Sequence, residues 1–184
     1  MIIYIEGVDG SGKSTLADKI AKMCKKEKIE YDRYAERSIS TKPDSLNRIT
    51  FDELVIKFNQ MANDKVLHIL DRGPLSDCIY RMFDDYEPVG KLADYISLFE
   101  GCKNKLMIVF ARTKKAEELM LKRGDDNPVA ISHHKELSKA YDLIMGIVNT
   151  YLTNKVILYD FSKRNSTSYV VDCVKSLISK RSKK

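Results

Sequence analysis

Short apolar runs alternate with longer amphipathic segments along the whole chain. The runs typical of buried strands span residues 1–5, 29–35, 66–70, 106–110 and 156–159. Four of the runs are nearly continuous in hydrophobic residues, as expected for strands of a parallel sheet that is covered on both faces, and the run at 29–35 mixes hydrophobic with charged residues. The segments between them are long enough for helical crossovers between parallel strands. The pattern predicts a three-layer α/β fold, in which helices cover both faces of a five-stranded parallel sheet.

A glycine-rich segment joins the first predicted strand to a predicted helix at 16–28. Residues 7–15 read GVDGSGKST and contain the pattern G-x-x-x-x-G-K-[ST]. Glycines let consecutive backbone N–H groups surround a phosphate, a helix N-terminus adds partial positive charge, and the lysine reaches the outer phosphates. The segment therefore predicts a nucleoside triphosphate site, with Ser14 as a ligand of Mg²⁺. The predicted phosphate-binding residues are Gly7, Gly10, Ser11, Gly12, Lys13, Ser14 and Thr15.

The composition is that of one globular domain. The chain has 184 residues, of which 43% are hydrophobic and 32% are charged. No apolar run approaches the roughly 18 residues of a membrane-spanning helix. The four cysteines lack C-x-x-C spacing, which is typical of reduced cysteines in a cytoplasmic protein. We therefore expect a single domain over residues 1–184, located in the cytoplasm and without a membrane partner.

The net charge of +6 is concentrated at the C-terminus. Most of it belongs to a basic tail over residues 179–184. The rest of the chain shows neither a second basic patch nor a stacking platform of the kind that binds polynucleotides. We do not expect nucleic acid to be the main partner, and a nucleic-acid-acting protein with the same phosphate loop is the least favoured alternative.

Charged residues follow the second and third predicted strands, at the edge where ligands bind in open α/β sheets. After the second strand, Arg37 between Glu36 and Ser38 could bind a second phosphate with its planar guanidinium, or could form a surface ion pair. After the third strand, Asp71 is placed to bind Mg²⁺ or its water shell, and Arg72 to neutralise a transferred phosphoryl group. An ordinary helix start would also explain this second pair.

Four segments resemble the thymidylate kinases, a family of P-loop nucleoside monophosphate kinases: 6–15, 35–38, 71–80 and 160–162. The resemblance implies the sheet order 2-3-1-4-5 and Mg²⁺-dependent transfer of the ATP γ-phosphoryl group to a (deoxy)nucleoside monophosphate. The catalytic residues that it implies are Lys13, Asp9, Asp71, Arg72 and Arg123. The residues whose backbone would hold the donor adenine are Asp160, Phe161 and Ser162.

The resemblance also assigns the acceptor side of the site. Arg37 would hold the acceptor's phosphate, and Tyr80 would lie near the sugar and disfavour a 2′-hydroxyl group. Arg48 is the candidate for reading the edge of the base, and Phe51 for stacking on it. The full set of expected acceptor residues is Asp9, Glu36, Arg37, Arg48, Phe51, Arg72, Ser76, Asp77 and Tyr80.

A lid is expected at about 122–131. Family members with a glycine after the loop aspartate, as at Gly10, tend to place a catalytic arginine in the lid, and here this would be Arg123. The pair Lys122 and Arg123 would equally suit the C-terminus of a helix that ends before Gly124.

The chain departs from the family on the acceptor side. The insert after Glu36 is short, Gly73 replaces a tyrosine, and Asp77 stands where the family often has serine or asparagine. A carboxylate accepts a hydrogen bond from an exocyclic amine more readily than it faces a carbonyl oxygen. This argues against thymine and leaves adenine, cytosine and guanine open. A deoxynucleoside kinase is the main alternative, with Glu36 as the general base for a 5′-hydroxyl group.

Three expectations concern helices and packing. His68 should be a core or strand-face residue. Ser132 should be the N-cap of a long helix that His133 and His134 open and that reaches residue 152. The apolar residues of 89–101 should either pack on the sheet or form a dimer face, and the second arrangement would make the protein a homodimer.

Overall fold

Five parallel strands form one sheet in the order β2-β3-β1-β4-β5, as expected. The computed structural model describes residues 1–35, 49–83, 90–102, 105–124, 128–152 and 155–181. The strands are β1 Ile2–Glu6, β2 Tyr31–Ala35, β3 Leu67–Asp71, β4 Leu106–Arg112 and β5 Val156–Asp160. Four of them end one or two residues later than their apolar runs, because the residues that follow still pair with a neighbouring strand.

Helices cover both faces of the sheet and complete the predicted three-layer fold. They are α1 Lys13–Lys26, α2 Phe51–Asn63, α3 Pro74–Tyr80, α4 Leu92–Gly101, α5 Ala116–Arg123, α6 Pro128–Ser132, α7 His134–Tyr151 and α8 Ser166–Arg181. A 3₁₀ turn at Arg81–Phe83 continues α3. Within the described ranges, none of the helices has both the length and the apolar character needed to cross a membrane.

The central strand β1 divides the core into two layers. Its residues are all buried, and successive side chains point to opposite faces of the sheet. Ile3 and Ile5 pack with α1 and α8, whereas Ile2 and Tyr4 pack with α2, α3, α4 and α7. The phosphate-loop segment follows β1 directly, so both layers of the core fix its position.

The long helix α7 does not begin where the sequence suggests. The prediction that Ser132 caps this helix is wrong, because Ser132 is the last residue of α6 and His133 is the N-cap of α7. The physical reason is Pro128, which suits the first turn of a helix, so that the chain is already helical when it reaches Ser132. The other end is close to expectation, since α7 ends at Tyr151.

His68 and the apolar face of α4 belong to the core. His68 is buried in β3, as predicted. The ring of Phe99 in α4 lies 5.5 Å from the ring of Tyr4 and 5.8 Å from that of Phe58. Packing therefore explains the apolar pattern of 89–101, which gives no separate support to a homodimer; the homodimer stays a prediction.

Gly146→Ala should stabilise the protein by about 0.5–1 kcal/mol, because alanine is the better helix former and loses less backbone entropy on folding. Gly146 lies inside α7, and no described atom would come within 4 Å of an added Cβ. Urea denaturation should show a higher free energy of unfolding with an unchanged m-value. Gly124→Ala is the matched control, since its Cβ would also meet open space but its φ is 70°, and it should be destabilising. Equal effects of the two substitutions would contradict this account.

Candidate active site

The phosphate loop connects β1 to α1 and lies against the segment that follows β4. Gly10 and Gly12 have φ angles of 79° and 88°, a left-handed conformation in which residues with a Cβ are strained. A Cβ at Gly10 would also lie 1.9 Å from the carbonyl oxygen of Ala116. The fold therefore requires both glycines. Helix α1 begins at Lys13, earlier than predicted, because the loop runs directly into it.

The ammonium group of Lys13 is folded back into the loop. Its Nζ donates to the carbonyl oxygen of Val8 at 2.8 Å, and the side chain is almost wholly buried. Burial, and then the charge of Arg72, lower the pKa of Lys13 to about 7, although Asp9 and Asp71 act in the opposite direction. A bound polyphosphate would supply the negative charge that favours the ammonium form.

Lys13 should take up a proton when ATP binds. With a pKa of about 7 in the free protein, its amine is largely neutral at pH 8, and phosphate oxygens beside it would raise the pKa. Calorimetric titrations in two buffers of different ionisation enthalpy should show that the wild-type protein takes up more protons at pH 8 than Lys13→Met does, and that this difference between the two proteins is much smaller at pH 6. The comparison with Lys13→Met is needed because the terminal phosphate of ATP also titrates in this range. A difference between the two proteins that is equal at both pH values would contradict the assignment.

Asp9, Arg72 and Tyr80 form a cluster beside the loop, at the ends of β1 and β3. The Arg72 guanidinium pairs with the Asp9 carboxylate and lies 5.0 Å from the centroid of the Tyr80 ring. The Tyr80 hydroxyl donates to the other Asp9 oxygen at 2.7 Å. Burial by itself would raise the pKa of Asp9, but the charges of Arg72 and Lys13 and the bond from Tyr80 lower it. The cluster therefore holds a guanidinium and a phenol in fixed positions next to Lys13.

The chain turns sharply between β3 and α3, and two residues make this turn possible. Arg72 has a φ of 71°, which costs a residue other than glycine about 1–2 kcal/mol, and its N–H donates to the carbonyl oxygen of Ile5 at 2.9 Å. At Gly73, an added Cβ would lie 3.1 Å from the Tyr4 ring. Gly73 therefore leaves little room for a larger residue beside Tyr4.

Asp71 and Ser14, the predicted Mg²⁺ ligands, share one neighbour in the structure. The Arg33 guanidinium lies 3.4 Å from the Asp71 carboxylate and 3.5 Å from the Ser14 carbonyl oxygen, and it pairs with Asp18. A hydroxyl and a carboxylate are oxygen ligands of the kind that Mg²⁺ prefers, so the residue types of Ser14 and Asp71 fit this ion. Sequence reasoning misses Arg33, because the residues that it contacts lie 15 to 38 positions away in the chain.

Two predicted acceptor residues, Ser76 and Phe51, contact other residues of the fold. Ser76 is fully buried and donates to a Glu6 carboxylate oxygen at 2.6 Å. In this structure its hydroxyl therefore connects α3 to β1. The contact of Ser76 with an acceptor stays a prediction. The ring of Phe51 lies 5.9 Å from the ring of Tyr95, where it packs on α4, and base stacking by Phe51 stays a prediction.

Asp77 is a further predicted acceptor residue that lies in the described part of the chain. Asp77 lies on α3, with its carboxylate 3.4 Å from Nε of Arg81 one turn later. The pair places a carboxylate and a guanidinium side by side, close to Tyr80 in the chain. The other acceptor predictions lie outside the described residues: Glu36, Arg37 and Arg48.

The lid prediction rests on residues at the end of α5. Lys122 and Arg123 form its last turn, and Gly124 caps the helix with a φ of 70°. This geometry agrees with the helix-end explanation of the pair, and the catalytic role of Arg123 stays a prediction. Residues 125–127 of the expected lid lie outside the described part of the chain.

The segment at 160–162 borders the phosphate loop, as a seat for the donor base would require. The backbone N–H of Phe161 donates to the carbonyl oxygen of Arg112 at 3.1 Å. The Phe161 ring lies against Gly12, since a Cβ added there would be 2.6 Å from Cδ2 of the ring. Adenine binding by Asp160, Phe161 and Ser162 stays a prediction.

A cavity of about 560 Å³ borders the same loop at Gly7 and Val8 and extends between β4, β5 and α7. Its volume is in the range of small-molecule sites. The Asp9, Arg72 and Tyr80 side chains do not belong to its lining. The cavity therefore adjoins the predicted phosphate site without containing the groups that would act on a transferred phosphoryl group.

The chain matches no protein-family model and no curated protein sequence, but its structure resembles solved structures over their full length. The Bacillus subtilis YorR protein in complex with phosphorylated GDP has a TM-score of 0.66 at 21% identity, covering 100% of this chain and 99% of that chain. Deoxyadenosine kinase from M. mycoides with bound dCTP has a TM-score of 0.53 at 20% identity, covering 96% and 100%. The same kinase with the products dCMP and dCDP has a TM-score of 0.55 at 21% identity, again covering 96% and 100%.

At these identities the likeness shows the fold, and that fold is the P-loop kinase fold. It does not single out the thymidylate kinases among the proteins that share it. The choice of acceptor therefore has to be argued from the residues of the site.

Proposed function

We propose that the protein transfers the γ-phosphoryl group of ATP to a (deoxy)nucleoside monophosphate. The observation that carries this proposal is the cluster of Asp9, Arg72 and Tyr80 beside Lys13, at the carboxyl ends of β1 and β3. Ligands of open α/β sheets bind at this edge. A guanidinium fixed next to a phosphate loop suits a reaction in which catalysis is mainly positioning and neutralisation of phosphoryl charge.

The state of the carboxylates supports a phosphate acceptor over a hydroxyl acceptor. A 5′-hydroxyl group must lose its proton to a general base, whereas a phosphate oxygen is already ionised at neutral pH. Asp9 is held by Arg72 and Tyr80, and its lowered pKa makes it a poor base. Asp71 is likewise paired, with Arg33. Neither of these two carboxylates beside the loop is suited to deprotonating an alcohol.

On the donor side, Lys13 and Arg72 would stabilise the negative charge of the transferred group. Ser14 and Asp71 would hold Mg²⁺, which neutralises charge on the β- and γ-phosphates when bound. The backbone at 160–162 would hold the adenine, through the resemblance to thymidylate kinases.

On the acceptor side, Asp9 and Tyr80 would contact the sugar, and Tyr80 would disfavour a 2′-hydroxyl group. Arg37 would bind the acceptor phosphate and Arg123 would close over the transferred group, both through the family resemblance. Asp77 favours a base with an exocyclic amine, so adenine, cytosine and guanine acceptors are proposed ahead of thymine. A cytoplasmic location and a homodimeric state complete the proposal.

A deoxynucleoside kinase is the second candidate. It is favoured by the likeness to deoxyadenosine kinase over the whole of both chains. This alternative needs a general base that only Glu36 would supply among the residues singled out by the sequence. It also gives Arg37 no phosphate to bind on the acceptor.

Measuring ADP release with ATP and Mg²⁺ over all common nucleosides and nucleoside monophosphates tests the proposal. We expect turnover of one or more monophosphates, with amine-bearing bases ahead of thymine, and no turnover of nucleosides. Turnover of nucleosides without turnover of monophosphates would refute the proposal in favour of the second candidate. Turnover that requires a polynucleotide would refute both.

A further inference from the structure

Helix α3 is capped by residues of another element. Its N-cap, Gly73, has no side chain to accept hydrogen bonds from the first turn. Two residues of β1 take this role: the Leu75 N–H donates to the Tyr4 hydroxyl at 2.8 Å, and the Ser76 N–H donates to a Glu6 carboxylate oxygen at 3.1 Å. Unpaired N–H groups at a helix start are stabilised by such acceptors, and a carboxylate is favoured there by the helix dipole.

The Glu6 carboxylate is fully buried and accepts further bonds. The Tyr4 hydroxyl donates to it, and so does the Ser76 hydroxyl at 2.6 Å. Tyr141 of α7 joins this group, with its hydroxyl 2.7 Å from the Ser76 hydroxyl and 3.4 Å from the second Glu6 oxygen. Burial raises the pKa of Glu6, while the bonds from Ser76 and Tyr4 and the charge of Arg72 lower it. Four donors therefore converge on one buried carboxylate from three separate elements.

Glu6 connects β1 to α3, the two elements that position the residues of the candidate site. β1 runs straight from Glu6 into the phosphate loop, and α3 lies between Arg72 at its start and Tyr80 at its end. A second contact joins α7 to the loop, since Nε2 of His134 lies 3.3 Å from the carbonyl oxygen of Asp9. The relative positions of Asp9, Arg72 and Tyr80 thus depend on how α3 is seated on β1.

We propose that Glu6 is a positioning residue, which holds α3 on β1 so that Arg72 and Tyr80 are aligned with the phosphate loop. Tyr141 couples α7 to this contact through Ser76. The contact of Glu6 with the first turn of α3 is called the β1–α3 joint below. The inference rests on the proposed function for its kinetic consequences. It concerns a carboxylate that would touch neither the donor nor the acceptor.

Glu6→Gln tests the joint, because it keeps the shape of the side chain but leaves one oxygen to accept bonds. We expect the acceptor's kcat/KM to fall by about 10- to 100-fold, since misplacement by about 1 Å can cost 10²-fold. The dissociation constant of ATP, measured by calorimetry, should stay within about twofold. Asp94→Asn is the matched control: Asp94 caps α4 through the Lys91 N–H at 2.9 Å, and its loss should leave acceptor kinetics unchanged.

Tyr141→Phe tests the coupling to α7 with a smaller change. It removes one hydroxyl group and should lower the acceptor's kcat/KM by roughly 2- to 10-fold, the range of one hydrogen bond. Tyr159→Phe is its control, because Tyr159 is also buried and its hydroxyl lies 3.1 Å from Thr167 in the other core layer. If Glu6→Gln does not fold, this pair of variants decides the question.

The hydrogen-exchange rate of the Ser76 amide reports on its bond to Glu6 without any need for catalytic turnover. It should be faster in Glu6→Gln by at least about 10-fold, while exchange in α4 is unaffected. Unchanged exchange, unchanged acceptor kinetics, or an equal loss of ATP affinity would each overturn the inference. If the wild-type protein phosphorylates no monophosphate, the proposed function fails by itself, and exchange together with ATP binding still decides whether Glu6 seats α3.

Discussion

Lys13→Ala should lower kcat by at least about 100-fold, because it removes a positive charge that acts mainly on the transferred phosphoryl group. The fold should survive. Lys13 contacts the loop through one bond to Val8, and its burial as a cation is unfavourable, as its lowered pKa indicates. Steady-state kinetics with ATP and the best acceptor from the substrate screen measures the effect, and circular dichroism and thermal melting confirm that the variant is folded.

Lys22→Ala is a suitable control for this experiment, since Lys22 lies on the exposed side of the same helix. It removes an equal charge from α1 and should leave kcat within about twofold. A folded Lys13→Ala protein with near-normal turnover would exclude the phosphate loop from the mechanism.

The sheet and the phosphate loop could be predicted because their signals are local. A strand buried on both faces is nearly continuously apolar, as the central strand β1 is, and all five runs became strands. The order of the strands was implied by the resemblance to thymidylate kinases. The loop is specified by glycines that its φ angles require, as at Gly10 and Gly12. The acceptor-side roles of Asp9, Arg72 and Tyr80 were implied by the resemblance to thymidylate kinases, and in the structure the strand order brings the ends of β1 and β3 together.

The contacts of Glu6 with α3 and α7 could not be predicted, because they join residues that are distant in the chain. Glu6 and Ser76 are 70 residues apart, and Glu6 and Tyr141 are 135 apart. Nothing in the sequence near Ser76 distinguishes a residue that touches an acceptor from one that binds a buried carboxylate, so its contact with Glu6 could not be predicted. The prediction that Ser132 is an N-cap was wrong for a local reason, since a helix had already begun at the proline four residues earlier.

Arg72→Ala should lower kcat by about 10²- to 10³-fold, the cost of removing one fixed donor from a developing charge. In the free protein the guanidinium is paired with Asp9 and stacked on the ring of Tyr80, so it needs little reorganisation to meet a phosphoryl group. Arg72→Lys keeps the charge but loses the planar fork, and should recover only part of the rate. Both variants should bind ATP nearly as tightly as the wild-type protein.

A double-mutant cycle with Asp9→Asn separates catalysis by Arg72 from its support by Asp9. If Asp9 acts by holding the guanidinium, Asp9→Asn should lower kcat in the wild-type background and have a much smaller effect when Arg72 is already alanine. The interaction free energy should then fall in the range of about 0.5–3 kcal/mol for contacting residues. Additive effects would mean that Asp9 acts on the acceptor independently of Arg72. A folded Arg72→Ala protein with kcat within twofold of wild type would remove Arg72 from the reaction and, with it, the observation on which the proposed function depends.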